Sequence, residues 1–179
     1  LAGAVVAGSA LGLWAMTRGA GHAPFVMLGM VCAFASMPLR RSHRVWVIGA
    51  FIISAGLVFG LWPAAAFRYA PEAAPRFFDL WLNAWQASYD VPTWSTLTWT
   101  ARNTLWYTWP LWPFAGWTLY SWRHGLDNPH LRVPVCLAAS ALVAALLSAT
   151  PSDAGLILLL PPLAILAAFF LAFLLRFDL

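Results

Sequence analysis

The 179-residue sequence is 62% hydrophobic and only 9% charged, with a mean hydropathy of +0.75, which excludes an ordinary water-soluble globule. Its apolar stretches run almost end to end and need lipid or neighbouring helices to cover them. The net charge of +4 comes from ten arginines, single or in one short cluster, against six acids. That pattern belongs to membrane topology and offers no broad basic face for nucleic acid.

The chain opens at Leu1 in an apolar run with neither the charged leader nor the cleavage pattern of a signal peptide. It therefore reads as a piece of a longer protein. Apolar runs of spanning length follow one another at Leu1 to Thr17, Ala23 to Leu39, Val45 to Phe67, Thr104 to Trp122, Val133 to Ala149 and Gly155 to Leu175. A helix needs about 20 residues to cross about 30 Å of hydrocarbon, so the expected fold is an all-α polytopic transmembrane bundle of about six spans. The period-two alternation of a membrane β-barrel is absent. Residues 1–179 read as a single transmembrane helical unit.

Orientation follows from the short connections. Arg40, Arg41, Arg44, Arg123, Arg132 and Arg176 fall on one side when alternate loops are counted, the side that the positive-inside rule names cytoplasmic. The long segment 68–103 is then extracytoplasmic. Within it Phe77, Trp81 and Trp85 form an aromatic stripe, and Asp79, Asn83, Gln86 and Asp90 form a polar one. Phe77 to Tyr89 is accordingly expected as an amphipathic helix in the membrane interface. Val91 to Thr100 is too irregular for an assignment, and an extended strip and a loop both remain open.

Proline interrupts the spans at Pro63, Pro110, Pro113, Pro161 and Pro162, each removing a helical hydrogen bond. Gly8 with Gly12 and Gly56 with Gly60 have the spacing of close helix contacts. Cys32 and Cys136 read as small apolar residues, and His22, His43, His124 and His130 as solvated loop residues.

No self-contained catalytic or metal-ligating motif is present, so no metal or other cofactor is expected. Ionisable groups gather at the outer interface. Arg68, Arg76 and Arg102 are candidates for binding a lipid-linked phosphate, because guanidinium can hold phosphate in a bidentate manner. Pairing with Glu72 or Asp79, or simple anchoring at headgroups, competes with that role. Asp79, Gln86, Trp94, Trp99 and Trp106 are candidates for sugar or lipid contact, and Asp79 and Asp90 are weaker candidates for a general base.

At Asn103 to Arg123 the residues NTLWYTWPLWPFAGWTLYSWR, and at Ser152 to Ala168 the residues SDAGLILLLPPLAILAA, resemble the bacterial lipid-A aminoarabinose transferases and their protein-mannosyltransferase relatives. The resemblance covers Phe77 to Arg176, and departs from the family's pattern at Ser152 and Asp153, where Arg or Glu is often seen. It implies a type C glycosyltransferase fold, an inner-membrane location and a polyprenyl-phosphate-sugar donor, the sugar passing to a lipid or protein acceptor on the outer face. The catalytic carboxylate it implies lies upstream of this chain, so no catalytic residue is assigned here. A non-enzymatic transporter or assembly subunit is the competing class.

Overall fold

The computed structural model describes residues 1–18, 21–123, 125–126 and 128–174, and the described residues form helices and turns without a named strand. Helices α1 (Ala2–Arg18), α2 (Ala23–Ser36) and α3 (Arg41–Tyr69) come first. Then follow α4 (Ala74–Gln86), α5 (Trp94–Tyr107), α6 (Leu111–Ser121) and α7 (Pro129–Leu146). A short α8 (Asp153–Leu156) passes through a 3-10 turn (Ile157–Leu159) into α9 (Leu160–Leu174). His124 and Arg176 lie outside the described residues.

Two of these helices, α3 and α7, are long and apolar enough to cross a membrane, with mean hydropathies of 2.2 and 1.5 over their best windows. The segments Ala2–Met16, Ala23–Ser36 and Ile157–Phe170 are shorter apolar helices. The 29 residues of α3 extend about 44 Å at about 1.5 Å per residue, more than the hydrocarbon thickness. Ile53, Leu57 and Leu61 on α3 are 62%, 68% and 67% exposed, an apolar face that water does not favour.

The helices pair in a row, α1 on α3, α2 against both α3 and α7, then α7 on α9 and α9 on α6. Small residues set the closest pairings. A Cβ at Gly8 would collide with Ser54 Oγ and the Phe51 carbonyl, and one at Gly12 would lie 2.6 Å from the Ala55 carbonyl. The Gly8/Gly12 pattern is therefore a packing device between α1 and α3. Gly56 and Gly60 have the same spacing, yet nothing lies within 4 Å of a Cβ built at either. Gly29 lets α2 approach α7, where its Cβ would be 3.0 Å from the Cys136 carbonyl. Cys136 is part-buried at this seam, whereas Cys32 is exposed.

The amphipathic segment is helical from Ala74 to Gln86, three residues earlier at each end than its polar pattern predicts. Part of its aromatic stripe meets protein instead of lipid. Trp62 of α3 packs edge-on to Phe77 and Phe78 at 5.1 and 5.2 Å, and Phe59 meets Trp81 at 6.0 Å. Because Phe67 also stacks on Phe78, α4 folds back along α3.

Two further features differ from the sequence expectation. The irregular segment is helix from Trp94 onward, because Thr93 caps it: its Oγ1 accepts from the Thr96 N–H at 3.2 Å. The apolar run Thr104 to Trp122 is not one helix, since α5 ends at Tyr107 and α6 begins at Leu111. Pro110 has no N–H to continue the ladder, and the Trp109–Pro110 bond is cis. Pro113 falls in the first turn of α6, where its missing donor is not needed.

Candidate functional site

The break between α5 and α6 creates an elbow, and its inner side is an open concavity of about 1260 Å³. Helical periodicity places Ser95, Trp99, Arg102 and Trp106 at successive turns along one side of α5. Thr98, Asn103 and Leu105 widen that wall, and Trp109 and Trp112 complete it beyond the break, their ring centroids 6.5 Å apart. Trp106 and Trp109 are 84% and 65% exposed, so large ring surfaces stand open to a ligand. Asn103 is fixed by donating from Nδ2 to the Trp99 carbonyl at 2.8 Å.

Arg102 is exposed on this wall, with no hydrogen-bond or ion-pair partner among the described residues. A cation set among indole rings suits an anion with an apolar body. The guanidinium supplies a planar pair of donors, and the rings supply apolar surface at low entropic cost.

A smaller cleft of about 330 Å³ adjoins the elbow, sharing Ser95 and Trp99 with it, and adds Asp90, Thr93, Thr96 and Ser148. Its floor is a backbone clasp. The Asp90 N–H donates to the Leu147 carbonyl, and the Ala149 N–H to the Ser88 carbonyl, both at 3.0 Å. Tyr89 and Ser148 thus face each other in an isolated antiparallel bridge. Asp90 Oδ1 accepts from the Val91 N–H at 2.7 Å, which holds the carboxylate at the rim.

Of the residues singled out from the sequence, Trp99, Arg102 and Trp106 come together in the elbow. Arg68 sits in the last turn of α3 and Arg76 in the first turn of α4, both exposed on either side of the turn joining those helices. Asp79 and Gln86 are exposed on α4, and Trp94, at the start of α5, is 79% exposed. None of these five lines the elbow. Sequence reasoning missed Trp109 and Trp112, whose signal was their placement around Pro110. Among the described residues no group of three or more His, Cys, Asp or Glu side chains is placed to hold a metal ion.

A second polar region lies where the α1–α2 turn meets the end of α4. His22 is half-buried instead of solvated, and burial pushes its imidazole below the ordinary value of 6.5. Burial likewise pushes the Tyr89 phenol above 10.0. His22 Nδ1, Trp85 Nε1 and Tyr89 OH are all shielded and have no hydrogen-bond partner among the described residues.

Comparison with known families, with curated proteins and with solved structures finds no match to this chain.

Proposed function

We propose that this chain is the multi-pass membrane part of a glycosyltransferase that takes a sugar from a polyprenyl-phosphate donor on the outer face of a bacterial inner membrane. In this reading α1, α2, α3, the end of α5 together with α6 (residues 104–122), α7 and the α8–α9 pair make the six crossings. The arginines at 40, 41, 44, 123, 132 and 176 lie on the cytoplasmic side, and residues 68–103 lie outside. The observation that carries the reading is the exposed Arg102 guanidinium, without a partner among the described residues, on one wall with Trp99, Trp106 and Trp109.

Arg102 holds the donor phosphate while the indole faces cover the first isoprene units or the sugar. As the bond between the anomeric carbon and the phosphate oxygen breaks, negative charge grows on the departing phosphate. A guanidinium already in place stabilises that charge without reorganising. The acceptor's activating carboxylate comes from elsewhere in the longer protein, as the family resemblance implies.

The test is binding of polyprenyl phosphate and of the uncharged polyprenol to the purified protein in nanodiscs, with Arg102→Ala beside the unaltered chain. Phosphate-dependent binding that falls at least tenfold in the variant supports the reading. Equal affinity for the two lipids, or no effect of the substitution, removes it. Sugar transfer by the full-length protein with the same variant then tests the chemistry.

A second reading, a non-enzymatic transporter, is favoured by the break at residues 108–110. Thr96, Thr100, Thr104 and Thr108 line one side of α5 up to that break, and the Thr100 and Thr104 hydroxyls are buried without partners among the described residues. Transporters use discontinuous helices of this kind around polar cargo. Uptake into proteoliposomes with no consumption of donor would favour it.

A further inference from the structure

The small cleft beside the elbow differs from it in chemistry. Asp90 is exposed at its rim; Oδ1 takes the Val91 N–H, and the carboxylate has no other hydrogen bond among the described residues. Thr93, Ser95 and Ser148 add hydroxyls, the first two exposed and the third half-buried. Thr93 Oγ1 lies 2.7 Å from Ser95 Oγ, and Ser148 Oγ donates to the Thr150 carbonyl at 3.1 Å. Each hydroxyl oxygen keeps a lone pair for a further bond. Among the described residues no arginine or histidine lines this cleft.

Trp99 joins the two spaces. It packs against the cluster of Ala141, Ala145 and Leu156, so its ring is ordered before a ligand arrives. It precedes Arg102 by one turn, about 4.5 Å along the axis of α5, and Ser95 lies one turn further on. From α6 towards the start of α5 the wall therefore changes from bare indole at Trp112, Trp109 and Trp106 to a cation at Arg102. Beyond Arg102 come the Trp99 ring and then hydroxyls and a carboxylate. A lipid-linked sugar phosphate has the same order: hydrocarbon, anion, then a ring with an apolar C–H face and hydroxyl edges.

We propose that this cleft receives the sugar ring of the donor, and that Asp90 selects an uncharged polyhydroxyl ring over one that carries a carboxylate. The proposal rests on the reading of Arg102 as the donor-phosphate ligand. The ring lays its C–H face on Trp99, and a ring hydroxyl donates to Asp90 in a charge-assisted bond, stronger than a neutral one. The hydroxyls of Thr93, Ser95 and Ser148 serve the other ring oxygens. A carboxylate on the sugar would face Asp90 with no cation between them, and that repulsion is the source of selectivity. The phosphate meets the same repulsion, which fixes the donor in one direction. An ammonium head would satisfy Asp90 but leave the hydroxyls and the indole face unused.

The test is binding, in nanodiscs, of bare polyprenyl phosphate, of polyprenyl-phosphate mannose and of polyprenyl-phosphate glucuronic acid. The unaltered chain should bind the mannose lipid about fivefold tighter than the bare phosphate, and the glucuronate lipid no tighter than the bare phosphate. Asp90→Asn keeps an oxygen for the Val91 N–H and removes the charge. It should cut the mannose advantage to about twofold and raise the glucuronate lipid about threefold relative to the mannose lipid. Both are ratios within one protein, so a general loss of fold cancels. Arg102→Ala should weaken all three lipids and keep the ratio of mannose lipid to bare phosphate. If the bare phosphate does not bind, or binds equally in Arg102→Ala, the donor-phosphate reading falls and this proposal with it. If binding needs Arg102 but mannose adds nothing, or Asp90→Asn leaves both ratios unchanged, only the proposal for the cleft is overturned. Displacement of the mannose lipid by an equal concentration of phosphatidylethanolamine overturns it as well, since the cleft would then hold an ammonium.

Discussion

Thr118 Oγ1 of α6 donates to the main-chain carbonyl of Leu166 in α9 at 2.9 Å, and both residues are buried. The bond ties α6, the helix after the elbow, to its neighbour α9, beside a cluster of Leu166 with Ala115 and Leu131. Thr118→Val keeps the shape and removes the donor. It should lower stability by about 0.5–1.5 kcal/mol, read as a shift in the unfolding midpoint in detergent. A larger loss would show that α6 depends on this bond for its position.

Gly12→Leu should destabilise the protein by about 1–3 kcal/mol, because the added side chain meets the Ala55 carbonyl and Val58 across the α1–α3 seam. Gly60→Ala meets nothing and replaces a helical glycine, so it should be neutral or gain up to about 1 kcal/mol. Thermal unfolding of the two variants side by side checks both. Similar losses would mean that the seam is not set by glycine spacing.

His22 gives the protein a pH dependence of definite sign. The unfolded chain takes up a proton at the ordinary imidazole value of 6.5, while the folded chain resists until lower pH, because burial disfavours the charged form. Stability should therefore fall as pH drops below 6.5 and level off below the folded-state value. Tyr89 acts in the opposite range: the unfolded phenol ionises first, so stability should decline as pH rises past 10.0. Unfolding midpoints measured against pH should flatten at the acid end in His22→Gln and at the alkaline end in Tyr89→Phe.

The backbone clasp can be opened from one side. Ala149→Pro removes the N–H that reaches the Ser88 carbonyl and restricts Ser148 as well. With about 1 kcal/mol lost, amide exchange over residues 88–91 should quicken about fivefold, while α7 keeps its protection. Hydrogen exchange by mass spectrometry reads this directly, and no change there would mean that the clasp holds nothing in place.

Apolar run length made the helical character legible, and the alternating stripes of Phe77 to Asp90 revealed α4 to within three residues. The helix at Trp94 was hidden because threonine and tryptophan are poor helix formers, and its capping residue looks like any other threonine. The site was legible only in part. Trp99, Arg102 and Trp106 share one side of a helix, a relationship that cannot be read until the segment is known to be helical. Arg68 and Arg76 looked equivalent to Arg102 by charge and presumed depth, yet the turn between α3 and α4 keeps them out of the elbow. The polar group of His22, Trp85 and Tyr89 depends on contact between distant segments, which no local pattern announces.

The α4 segment is moored at both ends, by the rings of Trp62 and Phe67 at its start and by the bridge between Tyr89 and Ser148 just beyond its close. A stretch held in this way is a fixed sill, not a hinged flap. On the proposed reading, a long-tailed donor would reach the elbow sideways from the bilayer, past Trp106 and Trp109, without any cover having to swing aside, and its traffic would be governed by the fluidity of the surrounding lipid more than by movement of the protein.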